Sequence, residues 1–253
     1  MAGPRALTTV AKTAGSNPYT DDEVADFYSG LDYAGTYHLA VRDLPDIIAR
    51  QVTGRSALDF ACGAGRSTRL LTSLGFEAVG VDMSRHMLAH ARRKDPAGHY
   101  ALIPDGDLSS LADKAFDLVH SAFPLGNATS RERIQAILAQ FRRVMAPGGR
   151  VIVIEATEAL YRHEWLSFST AAYSENARAT SGDPVRIAFR ERMDQPVVDV
   201  LWTDEDYRRS FKAAGLTLLE THLPLADEGD PLPWVSEREI APWVIYVLTP
   251  ADD

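Results

Sequence analysis

Short apolar runs alternate with stretches of helical length between residues 56 and 156, and this alternation constrains the fold more than any other feature of the sequence. The intervening stretches repeat apolar residues at the spacing of an amphipathic helix. The predicted strands are 56–61, 77–82, 99–104, 116–125 and 149–156. Strands that alternate with helices of this length predict repeated βαβ units, and hence a parallel sheet with right-handed crossovers.

The segments on either side of this region break the alternation. Residues 21–51 read as one or two helices that Pro45 could interrupt. Residues 157–203 form an insertion that begins with aromatic residues and continues with two strand-like runs. After a helix, two final strand-like runs follow without a helix between them, so they are predicted to be antiparallel. The chain thus divides into a flexible N-terminus (1–18), a helical segment (19–52), a core (53–156 and 204–253) and the insertion (157–203).

Charge and cysteine content argue against several classes of protein. The chain has 253 residues and a net charge of −9, whereas a nucleic-acid-binding surface carries a basic excess. No apolar run approaches the roughly 18 residues that span a bilayer, so we expect neither a nucleic-acid nor a membrane partner. The single cysteine, Cys62, cannot form an internal disulfide and suits a cytoplasmic location. The histidines show no metal-ligand spacing, so no metal is predicted.

Two glycines stand one residue apart directly after the first predicted strand, in the stretch LDFACGAGRS. Gly63 and Gly65 would let a ligand approach the backbone, and the N-terminus of the next helix offers free N–H groups. The dinucleotide fingerprint requires a third glycine, where this sequence has Thr68. A carboxylate at Asp59 would repel a pyrophosphate but would favour a ligand with ammonium and sulfonium groups. The residues therefore favour S-adenosylmethionine over a dinucleotide.

Five motifs in order make this region resemble the class I S-adenosylmethionine-dependent methyltransferases. They are LDFACGAG, VGVDMS, DGDL, FDLVHSAF and FRRVMAPGGRVIVIE, and WTDEDYRRSFKAAGLTLLE is similar to the sixth-strand region of that family. Each motif alone is weak, whereas their order and spacing are specific. Ala61 and Cys62 depart from the pattern, since many members have a glycine and a variable residue there.

The resemblance implies both a fold and a function. The fold is α/β and Rossmann-like, with a seven-stranded, mostly parallel sheet, an antiparallel last strand, a lid formed by the N-terminal helices and a substrate cap formed by the insertion after strand five. The function is methyl transfer from S-adenosylmethionine to a small organic molecule, of a kind typical of secondary metabolism. Whether oxygen, nitrogen or carbon receives the methyl group is left open.

The resemblance also implies a set of cofactor-binding residues. Asp82 would accept hydrogen bonds from both ribose hydroxyls, although it could instead cap the following helix. Met83 would pack on the adenine, or simply fill space. Asp107 would accept a hydrogen bond from the adenine amino group and the Leu108 amide would contact the ring, with Asp105 as the alternative acid. The remaining residues are Tyr28, Asp59, Ala61, Gly63, Gly65 and Ser121, the last through its carbonyl.

Glu155 and His163 are the candidates for a catalytic base. A base is required only for a hydroxyl or an acidic carbon, because alignment and exclusion of water otherwise supply most of the rate. His120 and His38 are further candidates, and each of the four could equally be structural. Aromatic residues of the lid and the insertion are expected over the pocket, although those of the insertion could form a core of their own. The aromatic residues of the insertion are Tyr161, Trp165, Phe168 and Tyr173.

Two other functions compete with methyl transfer. A protein of the same fold could catalyse a cyclisation with S-adenosylmethionine, or only bind it. Formation of S-adenosylhomocysteine would distinguish a methyltransferase from these. A nicotinamide-dependent dehydrogenase is disfavoured by Thr68 and Asp59, for the reasons given above.

Overall fold

Residues 22–251, which the computed structural model describes, contain seven α-helices and ten strands. The predicted flexible N-terminus, 1–18, lies outside the described residues. The helices are α1 Asp22–Gly30, α2 Thr36–Val41, α3 Leu44–Gln51, α4 Arg66–Ser73, α5 Arg85–Lys94, α6 Arg131–Val144 and α7 Asp204–Ala213. The strands are β1 Ser56–Phe60, β2 Glu77–Asp82, β3 His99–Leu102, β4 Phe116–Ala122, β5 Met145–Ala156, β6 Phe168–Ser169, β7 Pro184–Phe189, β8 Val197–Val200, β9 Leu216–His222 and β10 Trp243–Pro250.

Seven of the strands form one sheet in the order β3-β2-β1-β4-β5-β10-β9. The five strands from β3 to β5 pair in parallel, whereas β10 is antiparallel to both of its neighbours. This arrangement confirms the predicted seven-stranded, mostly parallel sheet with an antiparallel last strand. In a sheet of this kind, ligands bind beyond the carboxyl ends of the parallel strands.

The helix termini follow ordinary capping rules. Ser84 caps α5, because its hydroxyl accepts a hydrogen bond from the Met87 N–H at 3.2 Å. Gly75 follows α4 with φ 91°, the left-handed conformation that is common for a glycine after a helix. The N-terminal segment contains three helices and not one or two. Pro45 does not interrupt a helix, because it occupies the first turn of α3, where no backbone N–H donor is needed. No α-helix within residues 22–251 is long and apolar enough to cross a membrane.

The core lies on both faces of the sheet. On one face, α6 and α7 pack on the sheet through apolar side chains such as Phe141 and Phe211, which are at most 1% exposed. On the other face, Leu39 and Leu44 of the N-terminal helices pack on Ile152 of β5. Burial on both faces explains why the central strands read as continuous apolar runs in the sequence.

The insertion forms a small antiparallel sheet in the order β6-β7-β8. Both strand-like runs predicted for it are confirmed as β7 and β8. Trp165 and Phe168, two of its buried aromatic residues, belong to the same apolar cluster as the N-terminal helices. They therefore form neither a separate core nor a pocket wall, because they fasten the insertion to the helices that precede β1.

Candidate functional site

A cavity of about 690 Å³ opens at the carboxyl ends of β1, β2 and β4. Its walls are the loop after β1, the N-terminal helices α1 and α2, and the hairpin formed by β7 and β8. The volume lies within the range of sites that enclose molecules of drug size. The cavity thus lies where ligands bind in open α/β sheets, at the carboxyl ends of the parallel strands.

The loop after β1 passes through left-handed backbone at Ala61, Gly63 and Gly65, whose φ angles are 56°, 53° and 75°. Ala61 carries a side chain, so this conformation costs about 1–2 kcal/mol that surrounding contacts must offset. Ala61 and Gly63 line the cavity, but Gly65 does not. A Cβ atom at Gly65 would lie 2.6 Å from the Tyr100 hydroxyl. Gly63 therefore leaves space for the cavity, whereas Gly65 leaves space for the side chain of Tyr100.

Asp82 lies at the end of β2 and lines the cavity beside the glycine loop. Its carboxylate accepts hydrogen bonds from the Gly63 N–H at 2.8 Å and the Ser84 N–H at 2.7 Å. Burial raises the pKa of the Asp82 carboxyl, and these hydrogen bonds oppose the rise because they favour the charged form. The helix cap itself is Ser84. Asp82 thus joins the ends of two neighbouring strands at the cavity wall.

Asp59 does not face the cavity, which corrects the expectation that its charge would act on a ligand directly. The residue is 1% exposed, and one carboxylate oxygen accepts hydrogen bonds from the Ser67 and Thr68 hydroxyls at 2.7 and 2.6 Å. The other oxygen lies 2.9 Å from His120 Nδ1. The chain itself occupies both oxygens, so Asp59 anchors the start of α4 and the loop before it.

The acids after β3 are placed differently from the principal expectation. Asp107 is half-buried and accepts a hydrogen bond from the Ser109 N–H in a tight turn, and it does not line the cavity. Leu108 is fully buried and also outside the cavity lining. Asp105, the alternative acid, does line it, and so does Met83. The turn after β3 thus places Asp105, and not Asp107, in the cavity wall.

The end of β4 approaches the cavity through the residues that follow Ser121. Ser121 itself is fully buried and does not line the cavity, whereas Ala122 and Phe123 do. Phe123 has left-handed backbone with φ 70°, which is unusual for a residue with a large side chain. The chain therefore turns sharply at this strand end and carries the next residues along the cavity wall.

Aromatic side chains of α1 and of the insertion meet above the cavity. Tyr28, named from the sequence as a cofactor-binding residue, lines the cavity with Phe27. Both rings make edge-to-face contacts with Phe189 of β7, at centroid distances of 5.8 and 5.0 Å. Arg66 lies 4.1 Å from the ring centroid of Tyr33, in a cation–π contact. Residues of the N-terminal helices thus cover one side of the cavity.

Neither candidate base from the sequence faces the cavity. Glu155 is 1% exposed, and its carboxylate accepts hydrogen bonds from the Leu125 N–H at 2.9 Å and the Gly126 N–H at 3.2 Å. Burial raises the pKa of Glu155 to about 8. His163 is exposed, with its ring against Trp165 at a centroid distance of 6.2 Å. Glu155 thus holds the turn after β4 in place, and His163 points outside the site.

One ionisable residue in the cavity wall was not predicted from the sequence. Asp199 lies in β8, lines the cavity and is half-buried there. One of its carboxylate oxygens accepts a hydrogen bond from the Tyr161 hydroxyl at 2.9 Å. Burial raises the pKa of Asp199 to about 6, and the tyrosine hydrogen bond opposes that rise. A signal existed in the sequence, because Asp199 is the one acid within the apolar run VVDV of the insertion.

Comparison with known proteins places the chain in a family. The model of a methyltransferase domain matches residues 57–149. Demethylmenaquinone methyltransferase of Renibacterium salmoninarum is 28% identical over 172 residues, or 62% of this chain and 70% of that protein. The enzyme of the same name from Mycobacterium tuberculosis is 37% identical over 137 residues, or 52% of this chain and 55% of that protein. The chain thus spans about seven tenths of the first relative and about half of the second.

Solved structures agree with the fold. The CcbJ methyltransferase from Streptomyces caelestis superposes with a TM-score of 0.64 at 20% identity, covering 91% of this chain and 97% of that chain. An S-adenosylmethionine-dependent methyltransferase from Clostridium acetobutylicum gives a TM-score of 0.61 at 13% identity, with the same coverages of 91% and 97%. The matched domain and the curated relatives identify residues 57–149 as a class I S-adenosylmethionine-dependent methyltransferase domain, a family whose methyl donor is S-adenosylmethionine, and the solved structures agree with it in fold.

Proposed function

We propose that the protein transfers a methyl group from S-adenosylmethionine to a small organic acceptor held in the cavity above β1, β2 and β4. The observation that carries the proposal is the hydrogen bond between Asp82 and the Gly63 N–H. It joins the glycine loop to an acid at one wall of a cavity that is lined in part by aromatic side chains. The cytoplasmic location expected from the sequence belongs to the same proposal.

The residues of this wall fit the cofactor. A Cβ atom at Gly63 would lie 3.0 Å from the Met87 side chain, so the backbone there is open to a ligand only because the side chain is missing. The Asp82 carboxylate is suited to two neighbouring hydroxyls, because each of its oxygens can accept more than one hydrogen bond. Met83 supplies an apolar surface for the adenine, and Asp105 supplies an acceptor nearby.

When bound, the cofactor supplies an electrophilic methyl group on a sulfonium. The protein's contribution is to align the acceptor with that group and to exclude water, which together supply much of the acceleration of an in-line displacement. The lid residues Phe27 and Tyr28 and the insertion residue Phe189 close the cavity by contact with one another. We therefore assign exclusion of water to these three side chains.

The insertion and the lid, and not the sheet, would determine which acceptor is methylated. The residues 195–200 all line the cavity, and they belong to the insertion. The family match ends at residue 149, before this segment begins. Two curated relatives are named for demethylmenaquinone, and for this chain we propose the broader class of small organic acceptors.

Two measurements test the proposed function. Isothermal titration should show binding of S-adenosylmethionine and S-adenosylhomocysteine, and no binding of NAD. Incubation of the protein and S-adenosylmethionine with a library of small aromatic acceptors should then form S-adenosylhomocysteine. Binding of NAD alone would contradict the proposal. Binding of S-adenosylmethionine with no methylated product from any acceptor would instead favour a protein that only binds the cofactor.

Asp82→Ala should weaken binding of S-adenosylhomocysteine by about 1.5–3 kcal/mol, the free energy associated with hydrogen bonds to a charged group. Glu77→Ala is the matched control, since Glu77 is an exposed acid at the opposite end of the same strand. Calorimetry on both variants measures the difference, and their thermal unfolding reports whether the fold is intact. Equal affinities in Asp82→Ala and the wild type would show that Asp82 supports only the loop.

A further inference from the structure

We propose that Asp199 is the base that accepts the proton of a phenolic hydroxyl on an aromatic acceptor, with Tyr161 as its positioning residue. This inference rests on the proposed function, because it names the acceptor class and the proton acceptor at the same site. It is carried by the place of Asp199 in the cavity, its single hydrogen bond and the charges around it.

The position of Asp199 is at the opposite end of the cavity from the residues assigned to the cofactor. Asp82 and Met83 stand at the end of β2, which is two strands away from β4 in the sheet. Neighbouring strands lie about 4.8 Å apart, so these ends are separated by roughly 10 Å. Asp199 lies on β8, which borders the turn after β4 with Phe123 and Asn127 in the cavity wall. An acceptor would therefore meet Asp199 on the side away from the ribose.

The hydrogen bond to Asp199 leaves the carboxylate available to a ligand. Within residues 22–251 the Tyr161 hydroxyl is its hydrogen-bond partner, and that bond engages Oδ2. The bond holds the carboxylate in one orientation while Oδ1 remains free to accept a proton. A carboxylate removed from water without an ion pair or further hydrogen bonds is unfavourable for folding. A bound substrate that donates a hydrogen bond to Oδ1 would offset this unfavourable free energy.

The charges of the cavity favour a hydroxyl over an amine as the acceptor group. Among residues 22–251, four arginines and three aspartates line the cavity. The lining is therefore positive by one charge, and the sulfonium of a bound cofactor adds another. A protonated amine would be repelled by this surplus, whereas a phenolate would be stabilised by it. The aromatic rings of Tyr37, Phe123 and Phe189 provide flat surfaces for an aromatic acceptor.

The proposed step balances in atoms and electrons. The phenolic proton passes to Asp199, and the oxygen forms a bond to the methyl carbon. The bond between that carbon and sulfur breaks, and its electron pair stays on sulfur, which gives S-adenosylhomocysteine. Asp199 then releases the proton to solvent. No oxidant, reductant or metal takes part in this sequence.

Several ionisable groups surround Asp199 and must be considered in any pH profile. Tyr161, Tyr37, Tyr207 and Glu155 all interact electrostatically with its carboxylate. Burial raises the pKa of each of these groups, so the three tyrosines stay neutral at physiological pH. Since burial raises the pKa of Asp199 only to about 6, it is ionised and able to act as a base at pH 7.

The experiment measures formation of S-adenosylhomocysteine from 1-naphthol and 7-hydroxycoumarin. 1-Naphthylmethylamine and 7-(aminomethyl)coumarin serve as amine counterparts, because their alkylamine groups are protonated at pH 7. The wild type should methylate the hydroxyl probes, with a rate that rises as the pH passes about 6. Asp199→Asn should lower that rate by roughly 10²–10⁴ at pH 7 and recover part of it at alkaline pH, where the probe ionises unaided. Asp194→Asn is the matched control, because Asp194 is exposed in the same hairpin, and it should leave the rate unchanged.

Tyr161→Phe separates the positioning role from a structural one. Losing a hydrogen bond that favours the charged carboxylate should move the rise in rate to higher pH, which loss of packing alone would not do. Methylation of the amine probes alone, or of no probe, would overturn the inference, and so would an Asp199→Asn rate at pH 7 within threefold of the wild type. Should Asp199→Asn fail to fold, an unshifted pH profile in Tyr161→Phe would overturn it. Failure of the proposed function is distinguishable, because S-adenosylmethionine then either does not bind in calorimetry or binds without methylation of any acceptor in the wider library. Failure of this inference alone leaves the cofactor bound and another acceptor methylated.

Discussion

Replacing Gly65 by valine should destabilise the protein by about 3–5 kcal/mol, a loss that combines backbone strain with overpacking. Gly65 has φ 75°, a conformation that is strongly unfavourable for a β-branched residue. Its Cβ atom would also lie 2.6–2.9 Å from three atoms of the Tyr100 side chain. Since Gly65 is the residue at which α4 begins, the strain would also displace the loop that lines the cavity.

Gly75→Val is the control that separates the two contributions. Gly75 also has left-handed backbone, with φ 91°, but a Cβ atom there would meet nothing within 4 Å. Its replacement should therefore cost only the backbone strain, about 1–3 kcal/mol. Denaturant unfolding of both variants gives the difference, and calorimetry with S-adenosylhomocysteine should show loss of affinity in Gly65→Val alone. Equal unfolding free energies in the two variants would show that contact with Tyr100 is unimportant.

The sheet could be predicted from the sequence because each parallel strand and its following helix are neighbours in the chain. The parallel strands, the antiparallel β10 and the two longer strands of the insertion all followed from local patterns or from the family resemblance. The cavity-facing position of Asp82 followed in the same way, since a strand end and a tight loop fix it.

The orientation of individual side chains could not be predicted, because it depends on contacts between distant segments. Asp59 turns away from the cavity because the side chains of Ser67, Thr68 and His120 hydrogen-bond its carboxylate on the other side. His120 lies on β4, about sixty residues further along the chain. His163 and Asp199 belong to an insertion whose docking on the N-terminal helices is set by packing far apart in sequence. An alternating or apolar run indicates a strand, but it does not reveal which end of a cavity the strand borders.

Glu155 should reveal its role through the pH dependence of stability. Its carboxyl is buried beneath the turn after β4 and accepts the N–H groups of Leu125 and Gly126. Glu155→Ala leaves both donors without an acceptor, which should cost about 2–5 kcal/mol at pH 6. Glu155→Gln keeps one carbonyl acceptor and has no charge to bury, so it represents the neutral form of the acid at every pH.

The sign of the pH effect follows from the raised pKa. The ordinary glutamate pKa is 4.5, which applies to the unfolded chain, whereas the folded protein holds the Glu155 proton up to about pH 8. Between these values the folded state binds more protons than the unfolded state, so the wild type loses stability as the pH rises and then levels off above 8. Glu155→Gln lacks this loss. Its stability relative to the wild type should therefore increase by on the order of 2–3 kcal/mol between pH 6 and pH 8.

Denaturant unfolding of the wild type, Glu155→Gln and Glu155→Ala from pH 6 to pH 9 measures this change directly. Because the same pH change acts on every other ionisable group in all three proteins, the difference between them isolates Glu155. The cost of Glu155→Ala should shrink over the same interval, since removing the acid also removes the need to keep it protonated. The difference in unfolding free energy between Glu155→Gln and the wild type could instead stay constant with pH, or change in favour of the wild type. Either result would mean that the carboxylate is already charged at pH 6. In that case the hydrogen bonds from the two backbone N–H groups would lower the pKa of Glu155 by more than burial raises it. Glu155 would then support the cavity wall as an anion.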